Sequence, residues 1–408
     1  MTIAAPPSSK LDSKLAEQIT RIQEICIECP KCTNQCAFLK KYGNPRQIAA
    51  AYDPADMNAL TLPFLCNLCD LCAAVCPVKL TPGQLFLEMR REAVRRGTAP
   101  FPEHKGIMGY ENRGVSGKYS WYSLPRGCTT VLFPGCTFSG TRMDTAIALY
   151  EHLRTRMPAM GIVLDCCTKP SHDLGCQDHF TAMFGEMKTW LMEHGISDVM
   201  VVCPNCHKVF KTYGSPLKTI SVYEFMAETG LPEKVRGNRT FSNHPQPVAL
   251  HDPCVLRHEP AVHQAVRQLA TSSGFIVEEM PHSKATTVCC GEGGTVSAVA
   301  PEFSNTWRDI CKTEARDRHL LTYCAGCAGM LNKKTPTDHI LDAVFHPEAV
   351  AAGKRRATPA PFTYLNRIRL KRYIQKNHAA AITRERHFLP KTSLPGSKSG
   401  VWLKILAF

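Results

Sequence analysis

The chain has 408 residues, 44% hydrophobic and 21% charged, which is ordinary for a globular protein and long enough for two or three domains with their own cores. No run of 18 apolar residues occurs, so no membrane-spanning helix is expected. The formal charge of +14 sits at one end: residues 354–408 carry 13 Lys/Arg and one acid, Glu385, leaving 36 basic and 34 acidic residues before them. A nearly neutral body argues against a zinc-rich nucleic-acid-binding protein, and no nucleic-acid partner is expected.

The 21 cysteines are the anomaly. Met1–Lys14 is polar and lacks the apolar core of a secretory leader, so a reducing cytoplasm is expected and disulfides are not. Most cysteines lie two or three residues apart, too close to bridge each other but well placed to converge on a metal.

In chain order, residues 10–25 predict a helix from Leu11, Leu15, Ile19, Ile22 and Ile25. Cys26, Cys29, Cys32 and Cys36 follow with C-x2-C-x2-C-x3-C spacing. Asn44-Pro45 marks a turn that opens a short helix to Ala51. Cys66, Cys69, Cys72 and Cys76 repeat the spacing, and Pro77 completes the bacterial ferredoxin run. Paired zinc sites would show separated C-x2-C pairs instead. In two-cluster ferredoxins the fourth cysteine of each run ligates the other cluster. Cys26, Cys29, Cys32 and Cys76 are therefore expected to bind one [4Fe–4S] cubane, and Cys66, Cys69, Cys72 and Cys36 a second. Cys36 is followed by Ala37 rather than proline. Thr81-Pro82 opens a helix over 81–97. Residues 98–127, rich in Gly, Pro and aromatics, read as a connecting segment packed down by Phe101, Tyr110, Trp121 and Tyr122.

Residues 128–346 contain a repeat. Strand-like Val131–Phe133 precedes Cys136 and Val248–His251 precedes Cys254. Ile162–Leu164 precedes Cys166-Cys167, and Thr286–Val288 precedes Cys289-Cys290. Val199–Val202 precedes Cys203, and Leu320–Tyr323 precedes Cys324. The offsets are 118, 123 and 121 residues. Helical stretches follow at 140–156, 178–195, 259–273 and 300–316. Alternating strands and helices predict two α/β halves with mostly parallel sheets, whose strand ends gather the cysteines at the carboxyl edge. Each half supplies five: Cys136, Cys166, Cys167, Cys203 and Cys206, then Cys254, Cys289, Cys290, Cys324 and Cys327. Soft thiolates in such sets indicate an iron–sulfur or zinc centre.

This pattern resembles the duplicated cysteine-rich CCG domain. With the N-terminal run pair, residues 20–346 are similar to the D subunit of heterodisulfide reductase and to iron–sulfur subunits of glycolate oxidase, anaerobic glycerol-3-phosphate dehydrogenase and lactate-utilisation complexes. The implied fold is an N-terminal helical two-cluster ferredoxin module followed by duplicated α/β CCG domains. The implied organisation is 1–100 ferredoxin-type, 101–127 connecting, 128–245 first CCG domain, 246–346 second CCG domain and 347–408 basic amphipathic tail. The resemblance implies up to two further [4Fe–4S] clusters, noncubane in heterodisulfide reductases, with a disulfide cleaved between them. The second half keeps the family form, Cys289-Cys290-Gly291-Glu292-Gly293-Gly294. The first has Thr168 where glycine is usual; glycine would permit φ > 0 or close approach, so an altered turn holding one conventional cluster or a zinc is the competing reading there.

Gly291–Gly294 lacks the spacing of a phosphate or dinucleotide loop, and its glycines are expected to free N–H groups for sulfur. With no flavin or nicotinamide fingerprint, any flavin belongs to a partner: a flavoprotein, a membrane cytochrome or a quinone-reactive subunit. Cys128, Cys176 and Cys311 read as inert buried thiols. His207 and His251 adjoin the cysteine motifs and are candidate proton donors or second-layer hydrogen-bond donors. In the tail, a helix over 362–377 mixes Phe362, Leu365, Ile368, Tyr373 and Ile374 with Arg367, Arg369, Lys371, Arg372 and Lys376, and the chain ends Val401–Phe408. Docking on the inner face of the cell membrane is the expectation; a helix packed on its own domain is the alternative. The expected function is an electron-transfer subunit of a membrane-associated oxidoreductase, with a flavin-dehydrogenase-to-quinone relay as the second reading.

Overall fold

The computed structural model describes residues 11–231 and 246–390. Among them no helix is long and apolar enough to cross a membrane.

The N-terminal part is helical. Helix Ser13–Ile25 starts at Asp12, whose carboxylate accepts the Lys14 N–H at 3.0 Å. It packs on helices Pro45–Ala50 and Pro82–Arg95, where Leu15 and Ile22 meet Ile48, Leu85, Phe86 and Met89. Asn44 and Gln47 form a reciprocal capping box in front of Pro45, as the turn signal predicts.

Two sheets follow. β1 (Trp121–Leu124), β2 (Thr130–Phe133), β3 (Gly161–Leu164), β4 (Asp198–Val201), β5 (Lys218–Ser221) and β10 (Ile382–Arg384) form the first, in the order β10-β1-β3-β2-β4-β5. β6 (Gln246–His251), β7 (Phe275–Glu279), β8 (His319–Thr322) and β9 (Thr337–His339) form the second, in the order β7-β6-β8-β9. The block β3-β2-β4-β5 repeats as β7-β6-β8-β9, all parallel, so the duplication read from cysteine offsets is a duplication of topology. One apolar core runs through both halves, from Leu132, Leu149 and Tyr150 to Leu250, Leu269 and Leu341. A buried Arg142–Asp342 pair at 2.6 Å links the halves.

One expectation needs correction. The strand equivalent to Ile162–Leu164 is Phe275–Glu279, not Thr286–Val288, where Lys284–Thr286 is a single 3-10 turn. The residues between β7 and Cys289 form a seat for the N-terminal part: the His282 ring contacts Gln35 at 3.2 Å, and Arg257 donates to Thr287 O and Cys69 O. The connecting segment is not merely connecting; it contains helix Lys105–Gly114, and β1 pairs antiparallel with β3. The tail is likewise built in. Helix Phe362–Asn377 turns Arg367, Leu370, Lys371 and Ile374 inward and leaves Phe362 and Leu365 exposed, and β10 extends the first sheet. The apolar end Val401–Phe408 lies outside the described residues.

Two buried histidines make the fold acid-sensitive. Burial, with Arg90 nearby, pushes His104 down to about 4, and burial with Arg142 pushes His339 down to about 3. Both folded values lie below the unfolded value near 6.5, so as pH falls through 6.5 only the unfolded chain takes up these protons. Each should cost about 2 kcal/mol at pH 5 relative to pH 7.5. Urea midpoints across that range check this, and H339Q should flatten the curve.

Candidate metal centres

In the helical part, the two cysteine runs are held by matching backbone. Glu28 and Leu68, each two residues past the first cysteine of its run, take positive φ of 53° and 49°. That bend turns the loop back on itself, and the Leu68 N–H points at Cys66 Sγ at 3.4 Å. Cys36 leaves its own run and lines one enclosed cavity with Cys66, Cys69 and Cys72, walled by Phe86 and Trp307. This brings Cys36 beside the second run. Burial, then neighbouring thiol charge, pushes Cys69 up to about 12, Cys66 higher still and Cys72 well above its ordinary value. Such a set ionises only against a cation that all four share, which is the donor chemistry a cubane requires. Cys26 and Cys29 lie close enough to Cys32 to add to the burial that raises it to about 11. Cys76 packs on the same apolar core as Cys26 and Cys32.

In the α/β halves, β2, β3, β4, β6 and β8 deliver Cys136, Cys166, Cys203, Cys254 and Cys324 just beyond their carboxyl ends. Within the first half, Cys136 lies within hydrogen-bonding reach of Cys166, Cys167 of Cys206, and Cys206 of Cys203. Within the second, Cys254 reaches Cys289, Cys289 reaches Cys290, and Cys327 joins Cys290 and Cys324. Each set of five is thus one patch of sulfur. Hydrogen bonding from Cys166, aided by Arg367 and Tyr110, lowers Cys136 to about 6; bonding from Cys289 and Cys327 lowers Cys290 to about 7. Gly135 shows how tightly the first patch is drawn: a Cβ there would lie 2.9 Å from Cys203 Cβ and 3.3 Å from Cys206 Sγ. Thr168 takes the left-handed conformation despite being β-branched, at φ 55°, matching Gly291 at 89°. Both turns thus use a positive φ after the cysteine pair, but the first runs on into helix Lys169–Asp173 and the second into the 3-10 turn Gly293–Thr295.

The sites adjoin one another. Cys203 of the first half and Cys324 of the second are neighbours: interaction between the two thiols lowers the pKa of Cys203 and raises that of Cys324. The Tyr223 hydroxyl lies 2.8 Å from Val202 O and 2.7 Å from Tyr323 O, its one proton shared between the two carbonyls, and so pins the two strand ends together. Cys69 of the helical part faces Cys254, its strongest charged neighbour. Two arginines fix that junction. Arg257 donates to Cys69 O at 2.7 Å and to Thr287 O at 3.0 Å. Arg90, fully buried, donates to Cys66 O, Pro63 O, Asp173 O and Gly294 O at 2.7–3.0 Å.

The Gly291 N–H bonds Cys289 Sγ at 3.2 Å, as expected of a sulfur-side glycine. Gly293 and Gly294 serve differently: a Cβ would fall 2.4 Å from Asn67 O or 2.6 Å from Cys66 O, so they let the Cys66 loop touch the Cys289 loop.

His251 ties Val288 O and Thr322 Oγ1 together at 3.2 and 3.4 Å, and burial lowers its pKa. His207 lines a polar cleft with Lys211, Glu224 and Glu259. Cys128, Cys176 and Cys311 are buried, as expected of inert thiols. Sequence reading missed Glu292, although it stands inside the quoted motif. Its carboxylate lies within 4.8 Å of Cys290 and Cys327 sulfur, and burial, then Cys203, raises it to about 7. Gly326 leaves room for it: a Cβ there would meet Glu292 Oε2 at 2.1 Å. Arg90, Arg257 and Arg367 carried no sequence signal, because each reaches its site from a distant element.

Comparison with known proteins agrees with this architecture. Residues 22–80 match the 4Fe-4S dicluster domain, and residues 130–211 and 248–332 each match the cysteine-rich CCG domain. These matches and the paired cysteine sets define an iron–sulfur electron-transfer protein, with [4Fe–4S] clusters in the N-terminal module and in the CCG domains. The D subunit of the dihydromethanophenazine:CoB–CoM heterodisulfide reductase of Methanosarcina barkeri is 24% identical over 350 residues, 73% of this chain and 84% of that one. Its Methanosarcina mazei counterpart is 25% identical over 265 residues, 59% of this chain, and the match spans 64% of its length. The EtfAB:quinone oxidoreductase of Syntrophomonas wolfei is 20% identical over 280 residues, 62% of this chain and 38% of that one. The chain therefore combines a 4Fe-4S dicluster domain with two CCG domains and is similar to heterodisulfide reductase D subunits over most of its length.

Proposed function

We propose that the chain conducts electrons through four centres in a fixed order, as a subunit of a membrane-associated oxidoreductase. Cys26, Cys29, Cys32 and Cys76 would hold the entry cubane, and Cys36, Cys66, Cys69 and Cys72 the second. Cys254, Cys289, Cys290, Cys324 and Cys327 would hold the next centre. Cys136, Cys166, Cys167, Cys203 and Cys206 would hold the last. The observation that carries this order is the pair of junctions: Cys69 and Cys254 pack in one cluster, and Tyr223 bridges Val202 O and Tyr323 O just before Cys203 and Cys324. Bound clusters supply one-electron steps; the protein's part is to fix spacing, exclude water and hold donors to sulfur.

A disulfide taken between the two five-cysteine sites would accept two electrons and two protons, its S–S bond breaking to give two thiols. The relatives' heterodisulfide reductase names favour that substrate class. The second reading, passage of electrons from a flavoprotein towards quinone without disulfide chemistry, is favoured by the likeness to EtfAB:quinone oxidoreductase. Either reading places a flavoprotein or a membrane cytochrome or quinone-reactive subunit as partner, at the inner face of the membrane.

Anaerobically prepared protein should contain about 16 iron and 16 acid-labile sulfide atoms per chain if four [4Fe–4S] clusters are present. Zinc without sulfide would end both readings. Disulfide titration followed by EPR separates them: a new signal dependent on the CCG cysteines supports disulfide chemistry, and none supports the relay.

A further inference from the structure

Burying an N–H or O–H without a partner costs about 1–3 kcal/mol, so such groups are rare and point to something the protein atoms do not supply. Two surround the first five-cysteine site. Thr168, next to Cys167, is wholly buried, and its Oγ1 has no hydrogen-bond partner among the described residues. Its position is also strained, since a β-branched residue in the left-handed region costs about 1–2 kcal/mol. Arg367, on helix Phe362–Asn377, is 3% exposed. Its Nη2 donates to Gly114 O at 3.1 Å, but its Nη1 has no partner among the described residues. The guanidinium is held over Tyr119 and Tyr110, 5.3 and 5.9 Å from the ring centroids. It flanks the sulfur site directly: a Cβ on Gly114 would lie 3.2 Å from Cys166 Cβ and 3.4 Å from Arg367 Nη1.

The second site lacks both donors. Gly291 stands where Thr168 does, without a side chain to donate. Arg257, the arginine beside Cys254, commits Nε, Nη1 and Nη2 to the carbonyls of Cys69, Ala285 and Thr287. The second site has one buried free hydroxyl, Ser304 Oγ, on a residue that abuts Gly291, so the two sites differ in a free cationic donor, which Arg367 supplies to the first.

We infer that Arg367 Nη1 and Thr168 Oγ1 donate hydrogen bonds to the sulfur of the first-half centre and make it the more readily reduced of the CCG pair. Hydrogen bonds and positive charge at cluster sulfur stabilise the reduced state and raise the potential. Electrons entering from the cubanes then fall towards the Cys136 site, and the C-terminal helix belongs to the redox machinery rather than to an appended tail. The inference rests on the cluster ligation proposed above.

The test is a redox titration by EPR on the cluster-loaded full chain and its R367Q, R367K and T168V variants. The first-half signal is identified as the one lost in Cys166→Ser, and wild-type iron and sulfide content tests the ligation itself. R367Q should lower the first-half reduction equilibrium about tenfold, about 59 mV for one electron, and leave the other centres unmoved. R367K, which keeps charge but loses the planar fork, should shift less. T168V, of the same shape without the hydroxyl, should shift the same centre in the same direction, and it serves where R367Q loses iron. An unchanged first-half potential in T168V, or equal shifts at every centre, overturns the inference. Wild-type protein lacking first-half iron overturns the ligation instead.

Discussion

Replacing Arg386 with alanine is expected to destabilise the protein by about 3–5 kcal/mol, the cost of leaving a buried charge unpaired. Arg386 is wholly buried although it comes from the last described stretch of the chain. It meets Asp165 at 3.2 Å, Glu186 at 2.9 Å and the Met183 carbonyl, and its own N–H donates to Ser120 Oγ at 2.8 Å. Asp165 in turn accepts from Tyr122 at 2.5 Å and from the Cys166 N–H at 2.6 Å. The arginine therefore supports the turn that presents Cys166-Cys167. Urea unfolding reads the loss, and iron content should fall with it at the first-half site. A D165N/R386M double variant should recover part of the stability, because it removes the unpaired carboxylate. Removal of residues 354–408, which looks on sequence like the trimming of a tail, should be as damaging as R386A.

The second large effect belongs to Arg90. Exchange for methionine keeps most of the volume but strips donors from four carbonyls on three segments: 63–66, 173 and 294. Each buried carbonyl left without a partner costs about 1–3 kcal/mol, and the set should exceed about 3 kcal/mol. Function should suffer separately. The Cys66 loop would loosen from Gly293-Gly294, so both cubane signals should still appear on reduction while the CCG signals appear more slowly. Equal rates in R90M and wild type would show that this clamp does not hold the junction.

Much of this architecture was legible because cysteine spacing is local. The place of Cys36 beside the second run, and the doubling of the α/β half, both follow from intervals of a few residues or one constant offset. What escaped was long-range. β1 and β10 are four and three residues long, and they pair across about 260 residues of chain, so neither carries a period that a local reading can detect. The misplaced strand at Thr286–Val288 has a related cause: its short apolar run is used to cover the Cys69 loop, and the sheet takes the more exposed Phe275–Glu279 instead. Helix Phe362–Asn377 inverts its amphipathic pattern because the body offers it carbonyls as well as apolar surface. Arg367 and Lys371 find Gly114 O and Gly117 O inside. Thr168 keeps the positive φ that glycine takes in the other half, although it is β-branched.

The proposed line of four centres brings the two CCG sites together where Tyr223 bridges Val202 and Tyr323, just before Cys203 and Cys324. EPR of the fully reduced, cluster-loaded chain tests it most directly. The account predicts spin coupling between the two CCG signals, lost when Cys166→Ser removes the first, and coupling of the second CCG signal to the cubane held by Cys69. A spectrum that is the plain sum of four isolated signals would contradict it.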